Sequence, residues 1–243
     1  MDRVIRNISF AITVTCVMFL MTSNSQAQTA DSILQKTKEL YGGLKSYSDT
    51  GVILNEYGSS STDRHTFTTN FNRSPRHFIL DFRKQGGGRY VIWGDPDAFH
   101  TWSNATGQQY DYPNPNNASA ISLSGHQTSD AALKVPPLLY SKAALGGFFN
   151  IFVDAVLDGT EEIGGKRCFR IVGRASDSYA ATGKEVNVRK ATVWIESDSY
   201  LLRQVKEEWK PLPGQRSRLI ITFQPQTNPT LEDSKFRFVV PQQ

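Results

Sequence analysis

The 243-residue sequence predicts an α+β domain built on one large, curved antiparallel sheet with helices on one side. Three observations lead there. Residues 47–112 read as short alternating runs separated by turn signals, a spacing that favours hairpins over parallel crossovers. Residues 160–223 resume the same pattern. Between and before them lie segments of helical spacing or near-continuous apolarity, which need a sheet to pack on.

The chain opens with Arg3 and Arg6, the apolar run "ISFAITVTCVMFLM", and then "SNSQAQTA", where Ser25 and Ala27 supply small residues for a cleavage site. This order reads as a secretory signal peptide cut after Ala27. An N-terminal membrane anchor is the other reading, although the run falls short of the roughly 20 residues that span a bilayer. A single domain over residues 28–243 is expected. Cleavage would discard Cys16 and leave Cys168, so no internal disulfide is available and packing must hold the fold together. Cys168, within "RCFRIVGR", reads as a small buried strand residue.

In "DSILQKTKELYGGLKSY" Ile33, Leu34, Thr37, Leu40, Tyr41 and Leu44 form one apolar stripe. Ser32 and Gln35 fit a capping box, and Gly42-Gly43 suits a stop. "DTGVILNEY", "RHTFTTNF", "RHFILDFR", "RYVIW", "AFHTW" and "GQQYDY" are the first candidate strands. In the second and third, Phe67 and Phe71 share one face, as do Phe78, Leu80 and Phe82, with Asn72, Arg73, Ser74 and Pro75 as the turn. Residues 113–130 are polar with Pro and Asn, and predict an exposed, mobile loop. From Leu138 to Leu157 the only charges are Lys142 and Asp154. This run predicts buried helix, broken in two at Gly146-Gly147. It brings Phe148, Phe149 and Phe152. Hairpins follow around Gly164-Gly165 and Ser197-Asp198-Ser199, and "SRLIITFQP" and "KFRFVVP" read as the closing strands.

Composition argues against several function classes. The formal net charge is only +4 and the basic residues are scattered, so no nucleic-acid partner is expected. His65, His77, His100 and His126 lack metal-ligand spacing, and no cofactor is implied. "LSGHQ" is not a nucleophile elbow, and "QGGGRY" lacks the Lys-Ser/Thr of a phosphate loop. Glu161-Glu162 and Glu207-Glu208 are adjacent pairs, which strands point to opposite faces. No catalytic or metal-ligating residue is predicted, and the protein is read as a non-enzyme. What remains is apolar surface: Phe67, Phe71, Phe78, Leu80, Phe82, Phe148, Phe149 and Phe152 line either a hydrophobic cavity or an ordinary core.

The succession "YGGLKSY", "FNRSPRHFILDF", "GDPDAFHTWSN", "LDGTEEIGGKRCFRIVGRA", "VWIESDSYLLRQVKEEW" and "LEDSKFRFVVPQQ" resembles, in order and spacing, the outer-membrane lipoprotein carrier and sorting superfamily of LolA/LolB-like fold. It is closer to that superfamily's uncharacterised exported relatives. The resemblance implies an incomplete β-barrel covered by α-helices, enclosing a cavity for acyl chains. It also implies an arginine ahead of a proline that holds the helical lid shut. Arg73 is the nearest match, although Ser74 separates it from Pro75; Arg76 competes, and a surface arginine without that role is the third reading. Two functions are carried forward. One is a monomeric periplasmic binding protein for acyl chains or another apolar ligand, which would assist lipoprotein or lipid transfer. The other is an envelope protein-interaction or sensing domain whose core is closed and filled by its own side chains.

Overall fold

The structure is a computed structural model describing residues 28–58, 61–95, 97–112, 121, 123–140, 147–178, 185–209 and 217–241. The expected signal peptide, Cys16, residues 113–120 and Gly146 lie outside these. Helix α1 (Ala30–Gly43) buries Ile33, Leu34, Thr37 and Tyr41 on one stripe. Its capping box is not the expected one. Thr29 is the N-cap, its hydroxyl accepting from the Ser32 amide, and Ser32 Oγ accepts from the Thr29 amide at 3.1 Å. Gln35, freed from capping, donates to Glu39 one turn on.

Twelve strands follow: β1 (Ser46–Tyr57), β2 (Ser61–Arg73), β3 (Arg76–Arg83), β4 (Arg89–Gly94), β5 (Phe99–Ser103), β6 (Gln109–Tyr112), β7 (Phe152–Ile163), β8 (Lys166–Ser178), β9 (Glu185–Glu196), β10 (Leu202–Trp209), β11 (Ser217–Phe223) and β12 (Gln226–Thr227). They form one antiparallel sheet in the order β6-β5-β4-β3-β2-β1-β11-β10-β9-β8-β7, with β12 beside β1. The sheet is not closed into a barrel. Two meanders, β1–β6 and β7–β11, are joined where β1 pairs with β11 from Gly51↔Phe223 to Tyr57↔Ser217.

This order dictates where the cover must run. β6 and β7 are consecutive among the strands yet lie at opposite edges, so the chain between them has to cross the sheet. Its described parts cross the inner face, the one α1 packs on. A 3-10 turn (Ala131–Leu133), a short helix (Pro136–Leu139) and a single helical turn (Phe148–Ile151) join Ile33, Tyr41 and the inward strand residues in one core.

Three further expectations are corrected. The 138–157 run is not two helical pieces: after the Phe148–Ile151 turn, Phe152 already opens β7, with Asp154 at φ 54°. The described part of the 113–130 loop is not exposed throughout, because Ile121, Ser124 and Thr128 are buried. Two of its polar side chains are spent internally: Thr128 Oγ1 donates toward the Ser124 and Gly125 carbonyls, at 2.8 and 3.2 Å, and Ser124 Oγ lies 3.1 Å from Tyr90 Oη. A polar sequence therefore hides a buried turn. Finally, "KFRFVVP" is not a strand but a 3-10 turn (Asp233–Phe236) followed by chain outside the ladder. Its alternation is real, and it places Phe236, Phe238 and Val240 on the outer face against Ile79, Val91, Trp93 and Trp102.

Candidate functional site: the covered aromatic face

The hairpin β2–β3 pairs its apolar residues directly across the ladder: Phe67↔Phe82, Thr69↔Leu80 and Phe71↔Phe78. All five apolar members point inward and are buried. Gly51 on β1 makes room for the first of them, since a Cβ there would lie 2.0 Å from Phe67 Cζ. Phe67 then meets Phe223 edge-on at 5.7 Å. The crossing segment inserts Tyr140 from above, with its ring 5.5, 5.9 and 5.6 Å from those of Phe71, Phe78 and Phe99. Phe148 stacks on Phe152 at 5.4 Å and meets Phe149 edge-on at 5.6 Å. The eight predicted apolar residues thus belong to one core. Tyr140 was not singled out from the sequence, where it was one aromatic within the apolar run.

Arg73 and Arg76 pair across the β2–β3 turn and so lie on the same face as the Phe side chains. Arg73 reaches the cover: Nε donates to the Leu44 carbonyl at 2.7 Å, and Nη2 to those of Tyr41 and Leu139 at 3.3 and 3.2 Å. One guanidinium therefore joins the end of α1 to the end of the Pro136–Leu139 helix. Carbonyls at α1's C-terminal end carry its negative dipole, which suits a cation. Burial pulls the Arg73 pKa down, as does neighbouring Arg76. Arg76 instead lies over the Tyr140 ring, 5.9 Å from its centroid.

Two buried polar groups share this face. Glu207, fully buried on β10, pairs with Lys134 of the crossing segment and accepts from Arg189 Nε on β9 at 2.6 Å. Lys134 also sits 4.3 Å from the Phe148 ring centroid. Burial pushes the Glu207 carboxyl up, but the two cations outweigh it and hold the group below the ordinary carboxylate range. Asp49 on β1, 2% exposed, accepts from Tyr47 Oη at 2.6 Å. Here burial wins, and the carboxyl is pushed up to about 7. From the sequence Glu207 entered only as half of the adjacent pair Glu207-Glu208, and Asp49 was not singled out. For Glu207 the signal was its parity with inward Val205 and Trp209; for Asp49 it was its parity with Tyr47, Gly51 and Ile53.

The outer face is different. A depression of about 250 Å³ lies there, lined by Thr50, Val52, Thr66, Thr68, Thr222, Gln224, Asp81 and Arg83 over Gly51 and Phe67. Asp81 takes a two-pronged bond from Arg89 at 2.9 and 2.8 Å. Cys168 is buried, and burial pushes its thiol up to about 11, which suits packing rather than reactivity. Among the described residues no three His, Cys, Asp or Glu side chains gather where a metal ion could sit. No helix among them is long and apolar enough to cross a membrane.

No family model and no curated protein matches the sequence. Solved structures do. The lipoprotein LppX of Mycobacterium tuberculosis aligns with 83% of this chain and 98% of its own, at 15% identity and a TM-score of 0.45. LprF of Mycobacterium bovis aligns over 88% and 96%, at 13% identity and 0.46. A LolA superfamily protein of Nitrosomonas europaea aligns over 87% and 99%, at 14% identity and 0.37. With every one of these scores below 0.5, the fold is described by its own sheet order and cover.

Proposed function

We propose that this chain binds acyl chains or another elongated apolar ligand between its Phe-lined sheet and the segments that cross it. The observation that carries the reading is Arg73. The cover is fastened to the hairpin through hydrogen bonds from one side chain to three main-chain carbonyls. Released, the guanidinium and the carbonyls exchange these bonds for water, so the net cost of letting go is about 1.5–3 kcal/mol, well below the gross strength of the bonds. With Arg73 released, α1 and the Pro136–Leu139 helix would separate from Phe71 and Phe78. An acyl chain would take over the contacts of Tyr140 and Phe148, and the water it leaves behind would supply the driving force. Arg73 is the latch in this scheme and Arg76 a neighbour that holds Tyr140. The N-terminal sequence pattern supports export, with a cell-envelope ligand such as a lipid or an acylated protein.

A second reading also rests on a specific observation. Phe71, Phe78, Phe82, Phe99, Phe148 and Phe223 are each less than 2% exposed, which supports a self-filled core acting as an interaction or sensing domain. Native mass spectrometry of the exported protein, followed by solvent extraction, separates the two. A co-purifying fatty acid, phospholipid or acylated peptide, taken up more readily by Arg73→Ala, is the expected result. A clean mass that added acyl-chain probes never change would overturn ligand binding and leave the second reading.

A further inference from the structure

We propose that Asp49 makes the seating of α1 on the sheet depend on pH: protonated, the carboxyl lets the helix close over it, and ionised, it drives the helix off. The inference concerns the regulation of the proposed binding face, and rests on reading α1 as a movable part of its cover.

The geometry is a buried relay between three elements. Asp49 Oδ2 accepts from the Tyr47 hydroxyl. The Tyr47 ring meets the Tyr41 ring of α1 edge-on at 5.5 Å. Tyr41 Oη in turn accepts the Leu202 amide of β10 at 3.2 Å. Both tyrosines are fully buried. The other half of the carboxyl is unmatched: Asp49 Oδ1 makes no aligned hydrogen bond, and neither does Thr69 Oγ1, its neighbour directly across the β1–β2 ladder.

Among the described residues no cation answers this charge. On its own strand Asp49 faces Tyr47, and from α1 it faces Tyr41. From β2 come Thr69 and the flanking Phe67 and Phe71, with Arg73 committed to helix carbonyls. From β11 comes Phe223, which does not titrate. From β10 the Arg203 guanidinium acts on Tyr41, but it is paired with Glu196. A carboxylate held here has one well-aligned donor in Tyr47, Thr69 beside it and no counter-charge, so it gains by becoming hydrated. Tyr41 of α1 lies against Tyr47 beside this carboxyl, so lifting α1 would admit water to it.

The direction follows from linkage. Burial raises the Asp49 pKa from 3.8 to about 7, against the lowering effect of Tyr47 and Thr69. A raised acid favours the closed seat fully at low pH. That preference is lost as pH rises from about 4 to about 7 and then stays constant. Within this window the opening equilibrium of α1 should rise about tenfold per pH unit.

Amide hydrogen exchange on the whole chain, with no ligand added, tests this. Rates for α1 are compared with those for β2 and β3 between pH 5 and 8, after dividing out the intrinsic chemical rate. The expected result is an opening constant that climbs about tenfold per unit to pH 7 in α1 alone and is flat in Asp49→Asn. Equal pH dependence in both proteins, or an equal rise in the sheet amides, would overturn the proposal. Should Asp49→Asn fail to fold, carbon-13 titration of the Asp49 carboxyl decides: a midpoint above 6 supports it and one near 4 refutes it. Exchange reads helix motion rather than uptake, so a protein that never binds an acyl chain could still pass, and one that binds could fail.

Discussion

Glu207→Gln leaves the shape of the inner face almost unchanged and removes its central negative charge. Lys134, 2% exposed, then keeps a positive charge with no carboxylate beside it. Arg189, with 17% of its side chain exposed, can turn toward water and loses less. Breaking a buried pair by removing one partner costs about 3–5 kcal/mol, because the survivor keeps its desolvation penalty. For a domain of this size that lowers Tm by about 6–20 °C. Thermal unfolding followed by circular dichroism measures it. Exchanging both members, Lys134→Met with Glu207→Leu, should recover most of the loss, since an apolar pair of similar volume removes the stranded charge. The acid limb adds a second reading. Because Glu207 sits below its ordinary range, its contribution is present above pH 4.5 and is lost as pH falls through the folded value. The wild type should therefore lose more stability than Glu207→Gln below pH 4.5. A Glu207→Gln protein within 1 kcal/mol of wild type would refute the claim that this pair fastens the crossing segment.

Arg73→Ala should cost about 1.5–3 kcal/mol in urea unfolding and speed amide exchange in the last turn of α1, while Arg73→Lys, lacking the planar fork, should not restore it; unchanged exchange would count against the fastening role. Gly51→Ala drives a methyl into Phe67 and should destabilise by about 1–3 kcal/mol or more, with Phe67→Leu recovering part, and a neutral Gly51→Ala in a chemical melt would contradict the close approach. Truncation after Thr230 removes Phe236 and Phe238 from Trp93 and Trp102. It should red-shift tryptophan emission and create a site for a hydrophobic dye; an unaltered spectrum would argue against that packing.

Much of this was legible because strand chemistry repeats every two residues. β3 runs over the span its alternation marks, and the Phe67, Phe71, Phe78, Leu80 and Phe82 face is where the pattern puts it. Arg73 was readable too, since it continues the parity of Phe67, Thr69 and Phe71 to the end of β2. Ser74 changes the distance from Arg73 to Pro75, whereas the strand before the turn sets the direction of the side chain. Period alone does not say what covers a face. "KFRFVVP" alternates because it packs on one, not because it pairs. Lys134 and Glu207 lie 73 residues apart, and nothing local to either names the other. The 138–157 run misled because continuous apolarity fixes neither element type nor burial: Phe152 begins an edge strand in which Val153 and Val156 are exposed.

The seam between β1 and β11 has a consequence for how the chain is made. β1 is the first of the described strands in chain order and sits in the middle of the finished sheet, flanked by β2 and β11. Each meander can fold from local hairpins as it emerges, yet β1, which ends at Tyr57, must keep one open edge until β11 begins at Ser217. The segment that shields the outer Trp93 and Trp102 comes later still. A half-made chain is thus a sheet with an unpaired edge and an uncovered aromatic back, the kind of surface that invites premature association. Its vulnerability is one of timing, and a partner that occupies the β1 edge during synthesis would protect it without touching the aromatic face beneath the helices.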